Sequence, residues 1–325
     1  MDNWNHMLLE LSRRLGLPVK KVMDMLWFLR LEKIENNDLV RETGVAKNVL
    51  TQVKGGLKDL LEPASSNTAL NDHGRDIVGK LFSGSYDPEE SMWEFLEENS
   101  QFSEVVNLLI GYKNLRAEPK REYDQFTATL ETTARRAMLL NFFEDVKGKR
   151  ILFLGDDDFT SVAVSHIGKP ARACVLDIDP RILDGIKEAS AGEKLDIETV
   201  KYDARKSLPN ELRGKFDVVF TDPPYTTEGV SLFLSRAIEA LDTKGNQAAR
   251  IYFCYGNSDR AKERFLPIYE LVTSSGLMMR WVFDKFNRYT GAVSIGSASS
   301  LFICDITSKT KPIIHGEFKE QIYTV

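Results

Sequence analysis

Apolar runs and polar loops alternate regularly from Arg150 to the end of the chain. We predict strands at seven apolar runs: 150–154, 172–177, 197–200, 216–221, 248–254, 278–283 and 299–306. We predict helices at four stretches between them: 160–167, 180–190, 229–241 and 258–274. Alternating strands and helices are typical of an α/β domain with a mostly parallel sheet. Because no helix separates the last two runs, we expect these two strands to pair antiparallel.

The order of these elements predicts the fold class. A seven-stranded sheet that ends in an antiparallel pair is the layout of S-adenosylmethionine-dependent transferases. We therefore expect a Rossmann-like α/β domain over residues 146–325, with a connecting segment over 86–145 ahead of it.

The first 85 residues have a different pattern, with apolar positions such as Leu8, Leu11 and Leu15 at helix spacing. Helices are predicted further along at 39–43, 46–61 and 72–82, with a polar stretch at 63–71 that could form a wing. This order resembles a winged-helix domain. We therefore expect a winged-helix-like N-terminal domain over 1–85.

The charge balance decides between two roles for this N-terminal domain. Residues 1–90 contain 12 Lys and Arg against 14 Asp and Glu, and the whole chain has a net charge of -5. Domains that bind nucleic acid usually present a basic face to the phosphates. We therefore expect the domain to pack or to dimerise rather than to bind nucleic acid, and a homodimer is the expected assembly.

Composition also bears on metal sites and location. The three cysteines lie in separate apolar runs and the four histidines show no ligand spacing, so we expect reduced thiols and no metal. The chain has no apolar run of transmembrane length and no signal-peptide pattern at its start. We expect a soluble, cytoplasmic protein that does not bind a membrane.

Two acidic segments follow two of the predicted strands. The first segment consists of Gly155, Asp156, Asp157 and Asp158, and the second of Asp222, Pro223, Pro224, Tyr225 and Thr226. The carboxyl ends of parallel strands meet at one edge of a sheet, where doubly wound folds bind ligands. Adjacent carboxylates favour cations over phosphate, so we expect an acidic cleft for positively charged small molecules.

Three further acids are candidates for binding a nucleoside. Asp177 ends the second predicted strand, at the position where Rossmann-like folds bind ribose hydroxyls. Asp179 is a second candidate, although it is also placed to cap the helix that begins at Pro180. Asp203 follows the third strand and is a candidate for binding the adenine amino group.

Two motifs favour different transfer reactions. The Asp-Pro-Pro-Tyr segment offers carbonyl groups and a carboxylate to an amine, as in methyltransferases that act on adenine or cytosine. Three aspartates would repel the carboxylate of S-adenosylmethionine, but would attract its decarboxylated form and a polyamine. Charge therefore favours aminopropyl transfer. A nucleic-acid amino-methyltransferase and a polyamine-sensing regulator are the alternatives.

With these residues in view, the sequence resembles the branched-chain polyamine synthases, or N(4)-bis(aminopropyl)spermidine synthases. The segments that carry the resemblance are 123–125, 155–160 and 222–226. The resemblance implies that aminopropyl groups move from decarboxylated S-adenosylmethionine, as co-substrate, to the secondary amine of spermidine. It also implies release of methylthioadenosine, no tightly bound cofactor, and a thermophilic source.

The mechanism assigns a role to each candidate. We expect Asp158 first, and Asp222 second, to position the amine and take its proton. We expect the donor to contact Gly155, Asp156, Asp157, Asp177, Asp179, Asp203 and Pro223. We expect the acceptor to contact Tyr123, Asp124, Gln125, Asp158, Asp222, Pro224, Tyr225 and Thr226. The loop over 123–125 could instead be a surface connection, and the stretch after Thr307 a lid or a solvated tail.

Overall fold

The structure is a computed structural model that describes residues 3–31, 33–63, 66–82, 86–88, 92–256, 261–290 and 297–324. Within these ranges, none of the helices is both long enough and apolar enough to cross a membrane.

The N-terminal module is helical with one very short sheet. Its helices are α1 (Asn3–Leu15), α2 (Val19–Leu31), α3 (Asn36–Thr43), α4 (Lys47–Gly56) and α5 (Asp72–Leu81). Its strands, β1 (Ile34–Glu35) and β2 (Asn67–Thr68), pair antiparallel. Val22, Leu39, Val53 and Val78 are fully buried in its core. The three predicted helices are present, whereas the winged-helix assignment and the domain boundaries stay predictions.

The connecting segment forms three helices that cover one face of the main sheet. These are α6 (Met92–Glu97), α7 (Ser100–Tyr112) and α8 (Leu130–Phe142). The Thr129 hydroxyl caps α8 by accepting the Thr132 N–H. Ala134, Ala137 and Met138 of α8 are fully buried, which fixes the helix against the sheet.

The main sheet confirms the predicted seven-stranded α/β fold. Its strands are β3 (Arg150–Leu154), β4 (Arg172–Asp177), β5 (Ile197–Lys201), β6 (Val218–Thr221), β7 (Arg250–Tyr255), β8 (Met278–Arg288) and β9 (Ala298–Asp305). The strand order is β5-β4-β3-β6-β7-β9-β8. Strands β3 to β7 pair in parallel, and β9 lies antiparallel between β7 and β8.

Helices lie between the strands, as the alternating pattern predicted. They are α9 (Thr160–Gly168), α10 (Pro180–Glu193), α11 (Thr227–Ala240) and α12 (Leu266–Ser274). The last predicted helix was placed at 258–274, but a 3₁₀ turn over Lys262–Phe265 precedes α12, and residues 257–260 lie outside the described residues.

The sheet topology determines where a ligand can bind. From β3 the chain runs to β4 and β5 on one side, and then returns to β6 and β7 on the other. Ligands of open α/β sheets bind at such a reversal, beyond the carboxyl ends of the strands. In register, Leu154 lies between Leu176 and Thr221, so the loops after β3, β4 and β6 meet at this point.

The N-terminal module contacts the main sheet at the amino ends of its strands. Arg13, near the end of α1, donates to the Asp217 carboxylate at 3.0 Å, and its carbonyl accepts the Gln247 N–H at 3.0 Å. The Asp217 side chain is fully buried and also accepts from Arg150 and Asn246. The module is therefore attached at the amino ends of the strands, across the sheet from the ligand edge.

Candidate active site

A cavity of about 290 Å³ opens at the carboxyl ends of β3, β4 and β6. Of the predicted site residues, ten line it: Tyr123, Asp124, Gln125, Gly155, Asp157, Asp177, Asp222, Pro223, Pro224 and Tyr225. Asp156, Asp158, Asp179, Asp203 and Thr226 are not among the lining residues. The two acidic segments thus meet, as predicted from their positions after neighbouring strands.

Gly155 starts the turn that directs the first acidic segment. Its φ of 75° lies in the left-handed region, where a side chain would be strained. Its N–H donates to the Leu176 carbonyl at 2.8 Å, which holds the turn against β4. The turn brings Asp157 to the cavity wall.

Asp157 is the unpaired carboxylate of the site. It is half-buried, and among the described residues no hydrogen bond or ion pair to its side chain is present. Burial raises its pKa well above the usual range, and the nearby carboxylates of Asp158, Asp222 and Asp177 raise it further. A carboxylate of this kind readily accepts a proton.

Asp222 is held by three donors. It accepts hydrogen bonds from Arg136 Nη2 at 2.7 Å, the Tyr289 hydroxyl at 2.7 Å and the Tyr225 hydroxyl at 2.9 Å. Burial raises its pKa, and the Arg136 guanidinium opposes that rise. Its orientation is therefore fixed before any ligand binds.

Asp158 is buried behind the cavity in two ion pairs. Its oxygens accept from Arg116 Nη2 at 2.6 Å and Arg136 Nη1 at 2.9 Å, and the Ala128 N–H donates to it at 2.6 Å. Both oxygens of this carboxylate are already held by donors, and the side chain is not among those that line the cavity. This geometry does not favour the predicted role of Asp158 as proton acceptor.

Asp156 points into the start of α9 and away from the cavity. Its two oxygens accept the Thr160 N–H at 2.8 Å and the Ser161 N–H at 3.1 Å. Burial raises its pKa to about 7. Its contacts are those of a helix cap, so the structure does not bring it to the donor as predicted.

Asp177 reaches the cavity from the end of β4. Its oxygens accept the Asp179 N–H at 2.8 Å and the Asp156 N–H at 3.1 Å. Burial raises its pKa to about 6, against the effect of these two hydrogen bonds. Asp177 is therefore rigidly oriented at the cavity, and its contact with a ribose stays a prediction.

Two other predicted nucleoside acids have local partners instead. Asp179 caps α10 by accepting the Arg181 N–H at 3.0 Å, which is the helix-cap role that the sequence also allowed for it. Asp203 pairs with the Arg205 side chain at 2.8 Å, while its neighbours Tyr202 and Ala204 line the cavity. Contacts of these two acids with a nucleoside stay predictions.

The end of the chain closes one side of the cavity. Tyr323 and Thr324 line it, and the Thr324 N–H donates to Asp124 at 2.8 Å. Thr226 caps α11, and its hydroxyl donates to the Ile322 carbonyl at 2.7 Å. These contacts favour the lid over the solvated tail for the stretch after Thr307.

Sequence reasoning missed Arg136 and Tyr289. Arg136 is 1% exposed on α8, and Tyr289 lines the cavity just after β8. One signal was available, because Arg136 lies four residues from both Thr132 and Leu140, on a face of α8 whose other residues are uncharged. An arginine in such a stripe indicates a buried ion pair.

The lining of the cavity suits a cation with apolar parts. Four carboxylates line it, against a single arginine, Arg264, among the described lining residues. The rings of Tyr123, Tyr225, Tyr289 and Tyr323 provide faces that attract cations. Within the described ranges, no group of three His, Cys, Asp or Glu side chains is placed to hold a metal ion.

Comparison with known proteins places the chain in a family. Residues 104–321 match the family model described as "Branched-chain polyamine synthase A C-terminal domain". A 253-residue stretch is 30% identical to the N(4)-bis(aminopropyl)spermidine synthase of Thermus thermophilus, covering 73% of this chain and 68% of the relative. A 194-residue stretch is 35% identical to the synthase of the same name from Thermococcus kodakarensis, covering 59% and 54% respectively.

A solved structure shares the fold. It is the C9 mutein of the branched-chain polyamine synthase from Thermus thermophilus, in complex with N4-aminopropylspermidine and 5'-methylthioadenosine. The TM-score is 0.63 with 23% identity, over 98% of this chain and 96% of that chain. Several curated relatives are longer, and the matched stretch spans about half of their length, between 52% and 55%. Since the family model matches more than half of the chain, the chain belongs to the branched-chain polyamine synthase family.

Proposed function

We propose that the chain transfers aminopropyl groups from decarboxylated S-adenosylmethionine to the secondary amine of spermidine, releasing methylthioadenosine. The observation that carries the proposal is the acidic cavity, in which unpaired Asp157 and oriented Asp222 lie beside Asp177. Membership of the polyamine synthase family supports it. So do the ligands of the related Thermus thermophilus structure, which are a branched polyamine and methylthioadenosine.

The donor fits the β4 side of the cavity. Asp177 accepts the ribose hydroxyls, and the turn at Gly155 leaves room for the chain that ends in the sulfonium. An intact methionine group would place its carboxylate among acids, whereas the decarboxylated group presents an ammonium to them. Charge thus selects the decarboxylated donor.

The acceptor fits between the loop over 123–125 and the second acidic segment. Asp124 and the tyrosine rings bind the distal ammonium groups of spermidine. Asp222, with the carbonyls around Pro223 and Pro224, orients the secondary amine. This arrangement uses the apolar walls for the methylene groups and the acids for the charges.

The reaction is an in-line displacement. The amine lone pair forms the new nitrogen–carbon bond as the carbon–sulfur bond breaks, and sulfur leaves with its electron pair as a neutral thioether. The attacked nitrogen is then a tertiary ammonium that still carries the proton of the secondary amine. We assign this proton to Asp157, because among the described residues its side chain has no partner and its pKa is raised. A second transfer to the tertiary amine gives a quaternary ammonium and releases no proton.

Three finer expectations belong to this proposal. A homodimer and a non-catalytic, packing role for the N-terminal module stay predictions, as does the absence of nucleic acid among the partners. The methyltransferase alternative is kept as an outcome of the test below.

The first prediction concerns the product and Asp157. Mass spectrometry after incubation with spermidine and decarboxylated S-adenosylmethionine is expected to show one or two added aminopropyl units. Asp157→Asn cannot take the proton, so kcat should fall roughly 100-fold or more. Asp184→Asn, an isosteric change at an exposed position of α10, is the control and should retain activity.

Two outcomes would contradict this proposal at different levels. If no polyamine gains mass while intact S-adenosylmethionine methylates nucleic acid, the reaction class is wrong. If Asp157→Asn retains full activity, the proton goes elsewhere, and Asp158→Asn and Asp222→Asn become the next variants.

A further inference from the structure

Arg136 is a fully buried cation, and each of its three guanidinium nitrogens donates a hydrogen bond. Its Nε donates to Asn287 Oδ1 at 2.8 Å and its Nη1 to Asp158 at 2.9 Å. Its Nη2 donates to Asp222 at 2.7 Å and to the Tyr289 hydroxyl at 3.1 Å. The guanidinium thus joins the carboxylate behind the cavity to the carboxylate that lines it.

The fork shape of the guanidinium makes this link rigid. Asn287, which anchors Nε, is fixed in turn by the Ser299 hydroxyl at 3.0 Å and the Cys254 sulfur at 3.3 Å. Arginine binds two carboxylates at a set distance and angle, whereas lysine has a single nitrogen on a flexible stem. An uncompensated buried charge is strongly unfavourable, so Arg136 and its two aspartates depend on one another.

We infer that Arg136 is a positioning residue that holds Asp222 ionised and aimed at the acceptor nitrogen, which leaves unpaired Asp157 to take the proton. This inference rests on the proposed function and deepens it by naming what separates the roles of two neighbouring carboxylates. Enzymes commonly give two acids different roles by giving them different environments.

Several ionisable groups face Asp222 from the elements packed around it. They are Arg136 on α8, Asp157 and Asp158 after β3, Tyr225 after β6, Cys254 on β7 and Tyr289 after β8. Arg136 is the only cation among them. Burial raises the pKa of Asp222 and the Arg136 guanidinium bound to it lowers it, so a lysine nitrogen that pairs with Asp158 and no longer reaches Asp222 would let that pKa rise further. An ionised Asp222 would then require a higher pH.

The test compares Arg136→Lys with Arg116→Lys. Both changes disturb an ion pair with Asp158, but only Arg136 contacts Asp222. For Arg136→Lys we expect kcat/KM to fall roughly 10- to 100-fold because Asp222 is misplaced. We also expect the acid limb of its pH profile to move to higher pH. Arg116→Lys should leave that limb where the wild type has it.

A binding measurement and a second variant show whether Arg136→Lys loses activity only because it fails to fold. Methylthioadenosine binding, measured by calorimetry, reports on the Asp177 side of the cavity and should persist in Arg136→Lys. If that variant does not fold, Asn287→Ala removes the anchor of Nε and keeps the charge. It should lower kcat with little change in the KM for the donor.

The outcomes separate this inference from the proposed function. If the wild type is active, two results would overturn the inference alone. One is a wild-type pH profile and kcat/KM in Arg136→Lys, and the other is a wild-type kcat in Asn287→Ala. A wild type that transfers no aminopropyl group to any polyamine would overturn the proposed function and the inference with it.

Discussion

At the scale of single residues, three adjacent aspartates do three different things. Asp156 binds backbone N–H groups of α9, Asp157 faces the cavity without a partner among the described residues, and Asp158 forms ion pairs with two arginines. The partners, rather than the residue type, determine which carboxylate can act as a base. Among the described residues, the cavity therefore presents one carboxylate without a partner and others that are fixed by hydrogen bonds.

The second prediction concerns Asp177 and the binding of methylthioadenosine. Its pKa is raised to about 6 by burial, so it is ionised above pH 6 and protonated below. Protonation removes an acceptor for the ribose hydroxyls. We expect affinity, measured by calorimetry, to fall about tenfold for each pH unit below pH 6. Asp177→Asn should bind weakly at pH 7 and show no such dependence.

Asp156 provides the competing explanation, because its pKa is raised to about 7 and it lies beside Asp177. If Asp177→Asn retained the wild-type pH dependence, titration of Asp156 at the start of α9 would be its source, and the assignment to Asp177 would be wrong.

The residue roles were only partly predictable. Position after a strand identified Asp157, Asp177 and Asp222, because strand ends converge whatever the side-chain packing. It did not separate Asp157 from Asp158, because that difference depends on Arg116 and Arg136, which lie 42 and 22 positions away from Asp158 along the chain. Arg136 is separated from Asp222 by 86 positions, and no local pattern encodes such a pair.

At the scale of elements, α11 packs unusually close to the second acidic segment. A Cβ at Gly229 would lie 2.7 Å from the Pro224 carbonyl oxygen and 2.9 Å from the Ile322 carbonyl oxygen. Both contacts are with backbone, which cannot move away cheaply. The close approach of this helix therefore holds the segment and the end of the chain together at the cavity.

The third prediction uses two helical glycines. Gly229→Ala should lower the free energy of unfolding by about 1–3 kcal/mol, because of overpacking. Gly79→Ala is the matched control, since Gly79 lies exposed in α5 with nothing within 4 Å of its Cβ position. It should stabilise by about 0.5–1 kcal/mol through helix propensity. Urea unfolding measures both, and equal effects would contradict the packing argument.

Buried strands were the most predictable elements. The runs at 150–154 and 172–177 match β3 and β4 residue for residue, because a parallel strand covered on both faces is apolar throughout. β8 extends beyond its predicted end at 283 to Arg288. The residues of this extension include the polar Asn287, which is fully buried and contacts Arg136. Because the prediction followed apolar runs, it did not include this part of the strand.

At the scale of the whole molecule, the two ends of the parallel strands have separate roles. The cavity lies at their carboxyl ends, and the charge network around Asp217, which includes Arg13 of α1, lies at their amino ends. In the described part of the chain, the contacts of Arg13 with Asp217 and Gln247 therefore use no residue that lines the cavity. Composition predicted the packing role over nucleic-acid binding, whereas the attachment point depends on tertiary contacts of single side chains.

The fourth prediction concerns the acid stability of this attachment. Burial alone would raise the pKa of Asp217, but hydrogen bonds from Arg150 lower it to about 2. A depressed pKa stabilises the fold above the unfolded value near 4, and that contribution is lost as the pH falls through 2. It amounts to about 2 kcal/mol. Urea unfolding from pH 7 to pH 2 should show the loss.

The control for this prediction is a pair of isosteric variants. Asp217→Asn should be less stable than the wild type at pH 7 and should approach it towards pH 2. Asp196→Asn, at an exposed position, should follow the wild-type curve throughout. An Asp217→Asn curve parallel to the wild type at all pH values would contradict the role of this carboxylate.

The acidity of the cavity has a consequence for turnover. Under the proposed function, each aminopropyl transfer adds a basic nitrogen to the polyamine, so the product carries more positive charge than the substrate that entered. The same carboxylates that concentrate spermidine in the cavity therefore retain the product more strongly than the substrate. We therefore expect departure of the branched polyamine, rather than bond formation, to limit the rate, and we expect dissolved salt to accelerate the cycle by screening that attraction.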